Sequence, residues 1–328
     1  MSVPVDGLSR RRAIIVGAGH SGLAVAGALI AGGLQPQVDF VVIDAARPNE
    51  RSWARRWHSL QLESTARESA LPAMPFPGDQ HAHPRGDEMA AYLQHVTDTL
   101  GVVPRWGTAA TQVHRLSDGP TLELVTSAGA AQTRNVVAAT GGYAVPRRPD
   151  WVYSLSVPGI CLHSDEYLYP RQIPPGRVLV VGGGRAAVEV ASELSASHEV
   201  TLSTRNPSIG RNLQQHRRWI EKAAGADAAK PGSITVIPEI VAADGGTVLL
   251  RGGTGLAPES VVFATGYHPG DSWLPPTVGP RRGRRGRDTG MPGLFVVGIP
   301  GYGHAQAAQI RSAGIQARWV ARRILERP

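Results

Sequence analysis

Short apolar runs punctuated by glycine recur along this chain. Ala13–Val16 (AIIV), Phe40–Ile43 (FVVI), Asn135–Ala138 (NVVA), Arg177–Val181 (RVLVV) and Leu294–Val297 (LFVV) are too short for helices. Uninterrupted runs of this length are the mark of strands buried on both faces, as in parallel sheets covered by helices. Between the first two runs lies an alanine- and leucine-rich stretch that continues to about Ile30, and Asp87–Leu100 places apolar residues at helical spacing behind an acidic start. Both are expected to be helices. From Thr111 to Val137 the pattern changes to alternation, TQVHRLS and TLELVTS around Asp118-Gly119, which predicts a small antiparallel excursion. The prolines of Leu71–Gly78 (LPAMPFPG) exclude a helix or central strand, so this is expected to be a rigid loop. A last helix is expected over Gln306–Ile324. The alternation of strand and helix predicts an α/β chain of doubly wound, Rossmann-like parallel sheets.

The first strand runs into Gly17-x-Gly19-His20-Ser21-Gly22 and then a helix, and the second strand ends in Asp44. This is the layout that binds a dinucleotide: glycines admit the pyrophosphate to the helix N-terminus, and the acid receives the ribose hydroxyls. Arg177–Val181 repeats the design with Gly182-Gly183-Gly184-Arg185-Ala186-Ala187 and a helix to about Leu194, Ala187 replacing the third glycine. Its following strand, Glu199–Ser203, ends in Thr204-Arg205 and carries no acid. An arginine at that tip can pair with a 2′-phosphate, so the second site is expected to take NADPH and the first a dinucleotide with a free ribose. Ala139-Thr140-Gly141 and Ala264-Thr265-Gly266 form a second matched pair, each ending a buried strand in a turn that lets the chain pass a bound nucleotide.

Two sites of opposite ribose preference imply hydride transfer from NADPH to FAD. The order of motifs predicts nesting, an NADPH domain at 164–268 inserted into an FAD domain formed by 1–163 and 269–328. Gly298, Gln306 and Val113 are expected to complete the FAD site, and His163 and Ser164 the NADPH site. Trp53, Arg56, Trp57, His58 and Gln61 follow the ribose-binding strand, where ligands of an α/β sheet sit. They are the candidates for the flavin ring, with His58 as the candidate general acid or base.

Composition narrows the setting. The 328 residues carry one cysteine, Cys161, which offers no pair for a thiol relay and fits a reducing, cytoplasmic setting. A net charge of +8 raises the question of nucleic acid, but the arginines are scattered apart from Arg281–Arg287, and that run lacks interleaved aromatics. Arg10–Arg12 precede apolar residues already used by the first strand and helix, so they are read as fold and not as an export signal. No stretch is long and apolar enough to span a membrane, and no metal cluster is expected. The expected partners are a small-molecule substrate and O2, with a homodimer as the one protein assembly considered.

The chain also resembles the bacterial flavin-containing monooxygenase-like proteins over nearly its whole length. The resemblance rests on the first glycine motif, SWARRWHSLQL, LPAMPFPG, Ala139-Thr140-Gly141, VVGGGRAAVEVASEL, FATGY at 263–267, and Gly159-x-x-x-His163-x-x-x-Tyr167, which is similar to the family's linker fingerprint. It implies an FAD- and NADPH-dependent monooxygenase that oxygenates a soft nitrogen or sulfur, or a carbonyl, through a flavin hydroperoxide. Val157 departs from the phenylalanine that opens the fingerprint, and Tyr167 stands where Baeyer–Villiger relatives carry tryptophan. Residues 53–78 also hold no asparagine, which related oxygenases place near the flavin. A flavin-dependent NADPH oxidase or reductase carries the same two motifs and stays open, as does, more distantly, a redox sensor using the Arg281–Arg287 loop.

Overall fold

The computed structural model describes residues 7–117, 119–206, 208–224, 232–279, 289–302 and 309–326. It divides into two compact units, residues 1–54, 61–145 and 268–328 forming the first and residues 55–60 and 146–267 the second. The expected loop Arg281–Arg287 and the FAD candidate Gln306 fall outside the described residues.

In the first unit, β1 (Ala13–Val16), α1 (His20–Ala31) and β2 (Phe40–Ile43) follow one another as the apolar pattern predicts. The sheet has four parallel strands in the order Leu294–Val296, Val136–Ala138, β1, β2. Alternate residues of β1 divide between its two faces. Ala13 and Ile15 pack with Leu23, Val25 and Leu29 of α1 and with Val320 and Ile324 of the last helix, Ala313–Leu325. Ile14 and Val16 pack on the other face against Val113, Leu122 and Leu124 of the antiparallel excursion. That excursion has three strands, Ala110–Arg115, Leu122–Thr126 and Gly129–Thr133. The third was not predicted, because GAAQT has no strong strand pattern and becomes a strand only by pairing with Leu122–Thr126.

The predicted rigid loop is held from the helix Gly86–Thr99. Tyr92 donates its hydroxyl to Met74 O at 2.6 Å and accepts from Leu71 N at 2.7 Å, while its ring stacks on Phe76.

In the second unit, β3 (Arg177–Val181), α2 (Arg185–Leu194) and β4 (Glu199–Ser203) repeat the first motif. Its five-stranded parallel sheet runs Ile234–Ile237, β4, β3, Ser260–Phe263, Cys161–His163. Cys161–His163 pairs residue for residue with Val261–Phe263, so the second unit takes in residues well upstream of position 164. A helix at Ile209–Ala224 and an antiparallel set at Ile240–Asp244, Thr247–Leu250 and Gly255–Leu256 complete the unit. Among the described residues no helix is long and apolar enough to cross a membrane.

Candidate functional sites, two nucleotide cradles

The start of α1 is shaped by contacts that leave no room for side chains behind it and open space in front. Gly17 has φ +111°, and a Cβ there would lie 2.4 Å from Ala139 O. A Cβ at Gly22 would lie 1.8 Å from Gly17 O, so the helix packs directly on the turn. At Gly19, by contrast, a Cβ would meet nothing within 4 Å, and this N-cap residue offers no side chain to the first helical N–H groups. Those donors and the positive end of the helix face open space, which suits a pyrophosphate.

The remaining first-site residues gather around this cradle. The Asp44 carboxylate accepts from Ala18 N at 2.7 Å and Ala46 N at 2.8 Å, which fixes it at the β2 tip with lone pairs to spare for ribose hydroxyls. Gly298 lies so close that a Cβ would sit 2.0 Å from Ser21 Oγ. Thr140 donates its hydroxyl to Gly270 O, which holds the turn at Ala139–Gly141. His20 is 7% exposed; its Nε2 bonds to Ser69 O at 3.1 Å and its Nδ1 has no protein partner. Burial pulls this imidazole down from 6.5 to about 4. It is therefore neutral, with Nε2–H donating and Nδ1 left as a buried acceptor. An acceptor orphaned beside an open helix terminus fits a site completed by a hydroxyl-bearing nucleotide such as FAD.

The second cradle repeats the geometry. A Cβ at Gly182 would lie 2.3 Å from Ala264 O, one at Gly184 would meet nothing within 4 Å, and α2 also lacks a side-chain cap. Ala187 is fully buried, so its methyl group is accommodated where the first motif demands glycine. Thr265 donates to Arg147 O as Thr140 does to Gly270 O, and Ser164 N donates to Phe263 O at 2.9 Å. Arg205 stands at the tip of β4 with its side chain 83% exposed, its Nε 3.6 Å from Glu239, a carboxylate that also holds Arg251. Arg185 bonds to Glu189 one turn along α2.

His163 has both ring nitrogens engaged by the backbone of its own unit. Asp165 N donates to Nδ1 at 3.1 Å, so Nε2–H donates to Gly266 O at 3.0 Å. The imidazole ties the stretch around position 163 to the FATGY turn.

The other candidates for the flavin site make contacts within their own units. Residues 55–60 belong to the second unit. Trp57 is a core residue there, packed with Tyr167, Leu162 and Ala264; Arg56 donates to Tyr267 OH at 3.0 Å; His58 is exposed against the Tyr169 ring. In the first unit, Gln61 donates to His83 O at 3.0 Å and Val113 is buried under the sheet, while Trp53 packs at the edge of the core formed with α1. The side chains of Trp57 and Val113 both take part in core packing.

Other residues at the cradles carried no sequence signal. Asn206 donates to Gly183 O at 2.8 Å and so braces the second glycine turn. Gln316, fully buried on the last helix, accepts from Gly298 N at 3.3 Å. Arg51 is buried with its guanidinium 4.5 Å from the Trp106 ring centroid and feels the charge of Asp44. Asparagine, glutamine and arginine occur in any loop, and only the tertiary contacts mark these three.

The family profile described as pyridine nucleotide-disulphide oxidoreductase matches residues 14–298. The flavin-containing monooxygenase from Stenotrophomonas maltophilia superposes with a TM-score of 0.76 at 25% identity, covering 96% of this chain and 98% of that one. The uncharacterized oxidoreductase CzcO of Bacillus velezensis is 25% identical over 344 residues, 95% of this chain and 98% of its own length. Indole-3-pyruvate monooxygenase YUCCA1 of Oryza sativa subsp. japonica is 33% identical over 193 residues, which cover 56% of this chain and 44% of that protein.

Proposed function

Because the chain belongs to the pyridine nucleotide-disulphide oxidoreductase family, we propose that it is the monooxygenase kind of such an enzyme, oxygenating a small soft nitrogen or sulfur nucleophile or a carbonyl. It is a flavin-monooxygenase-like oxidoreductase, and its cofactors are FAD and NADPH. The observation that carries the reading is the pair of open helix termini, one beside Asp44 and one beside Arg205, in a chain whose only cysteine is Cys161. A disulfide-reducing member of the family would pass electrons to a thiol pair. Here burial pushes the lone Cys161 thiol up, away from the thiolate form.

FAD, when bound, would supply the redox chemistry by which NADPH and O2 oxygenate a substrate, one oxygen atom going to the substrate and the other to water. The protein's own work is binding and placement. Gly19 would admit the pyrophosphate to the α1 terminus, Asp44 would receive the ribose hydroxyls, and Nδ1 of His20 would accept from a hydroxyl of the nucleotide. At the second site Gly184 and α2 would receive the NADPH pyrophosphate, and Arg205 would pair with the 2′-phosphate. The single cysteine is consistent with work in the cytoplasm.

Arg205→Ala is expected to weaken NADPH roughly 10- to 100-fold, the worth of a charge-assisted pair of about 1.5–3 kcal/mol, and to leave NADH nearly unchanged. Michaelis constants for flavin reduction by each cofactor measure this. An equal loss for both would place the 2′-phosphate elsewhere.

The reaction itself is tested by supplying NADPH and labelled O2 to the FAD-loaded protein with a panel of amines, thioethers and ketones. At least one class is expected to accelerate NADPH consumption, lower the hydrogen peroxide released per NADPH and acquire one labelled oxygen atom. Peroxide released one for one with NADPH throughout, unaffected by any compound or by added NADP, would make the protein an NADPH oxidase.

A further inference from the structure

The second cradle carries an acid that its own sequence motif lacks. Its glycine turn rests against the tip of β4, where a Cβ at Gly183 would lie 2.6 Å from Thr204 Oγ1 and Asn206 holds Gly183 O. β4 pairs in parallel with the strand Ile234–Ile237, and the last matched residues are Ser203 and Ile237. The two chains stay together beyond the sheet, Thr204 N donating to Ile237 O at 3.1 Å and the Ser203 hydroxyl to Pro238 O at 2.9 Å. Two residues past the last match, this register brings Arg205 level with Glu239, and their side chains meet at 3.6 Å. Glu239 also accepts from Nε and Nη2 of Arg251, whose backbone N–H donates to Glu239 O at 2.8 Å. One carboxylate is thus shared by two arginines at the carboxyl end of the sheet, the side on which strands of such folds meet a nucleotide ribose.

Resting on the functional reading above, we propose that Glu239 sets the cofactor preference of the second cradle. Its carboxylate would accept the ribose 2′-hydroxyl of NADH, the role given to Asp44 in the first cradle. It would oppose the 2′-phosphate of NADPH by its charge and by its hold on Arg205. The exposures fit such an exchange. The Arg205 and Arg251 side chains are 83% and 72% exposed, whereas that of Glu239 is 21% exposed. An ion pair at the surface is weak, so Arg205 can leave the carboxylate for a phosphate of higher charge. Glu239, held by Arg251 through side chain and backbone, stays at the strand tip in either case. With the acid in place the site accepts both nucleotides, and its preference for NADPH is smaller than the two arginines alone would produce.

The experiment measures the dissociation constants of NADP and NAD for the FAD-loaded protein by titration calorimetry, without turnover. Glu239→Gln keeps the side-chain length and the backbone bond to Arg251 but removes the charge. It is expected to tighten NADP about 3- to 10-fold, as removing a like charge beside a phosphate does. It is expected to weaken NAD by about the same factor, through loss of a charged acceptor. The ratio of the two constants then shifts roughly 10- to 100-fold towards NADP. Should Glu239→Gln fail to fold, as read by circular dichroism, Glu239→Ala removes the same charge at a partly exposed position and is expected to shift the ratio in the same direction. A folded variant that leaves the ratio at its wild-type value, or moves it towards NAD, overturns the proposal. That holds also where both constants weaken together, because Glu239 would then only brace the strand tip. A wild-type protein that binds neither nucleotide would instead defeat the assignment of the second cradle, and the role of Glu239 with it.

Discussion

Gly19→Val is expected to yield a folded protein that has lost its yellow colour, while Gly22→Val is expected not to fold. The two glycines share one motif but face opposite demands. A side chain at Gly22 would run into Gly17 O, a backbone atom that cannot swing aside, since even its Cβ would lie 1.8 Å away. A side chain at Gly19 meets no protein atom within 4 Å, and the backbone there, at φ −79°, is open to any L-residue. Valine at position 19 therefore fills only the space in front of α1. The loss falls on FAD, whose pyrophosphate would forfeit charge-assisted hydrogen bonds worth roughly 1.5–3 kcal/mol each, a weakening of about a hundredfold or more. Far-ultraviolet circular dichroism and flavin absorbance of the two variants separate the effects. A folded Gly19→Val protein that copurifies with a full complement of FAD would refute the assignment of the first cradle.

The FAD-free protein is expected to lose stability steeply as pH falls from about 6.5 towards 4, with His20 as a principal cause. The sign follows from its burial. In the unfolded chain this histidine titrates at the ordinary 6.5, whereas in the folded protein it titrates at about 4. Between those values the unfolded chain binds a proton that the folded one refuses, so acid favours unfolding. The neutral imidazole's contribution is fully present above pH 6.5 and is lost progressively below it. The depression corresponds to about 3 kcal/mol once the pH is below both values. His20→Gln, whose amide nitrogen reaches about as far as Nε2, keeps a donor for Ser69 O and removes the titration, so its melting temperature is expected to fall much less between pH 7 and 4.5. Part of the slope will persist, because His163 and His216 are also held down by burial. Parallel wild-type and variant melting curves against pH would show that His20 is not the titrating group.

Local sequence determined both cradles. A strand, a glycine turn and a helix are all contiguous, and the steric demands at Gly17 and Gly22 arise within a few residues, so the motif can be read without knowing the fold. The same holds for Asp44 and Arg205, whose positions follow from counting to the end of the next strand. The matched turns at Ala139–Gly141 and Ala264–Gly266 were legible because each repeats a strand ending in small residues. Tertiary structure decided where the segment after Asp44 belongs. Trp57 is buried with Tyr167 and Leu162, more than a hundred positions away, through packing that no local pattern records. The pairing of Cys161–His163 with Val261–Phe263, a hundred positions on, is likewise set only by the folded chain. His20 shows the division within one side chain. Its place at the start of α1 was written in the motif, but its neutrality and its unpartnered Nδ1 come from Ser69 and the surrounding core, which only the folded chain brings to it.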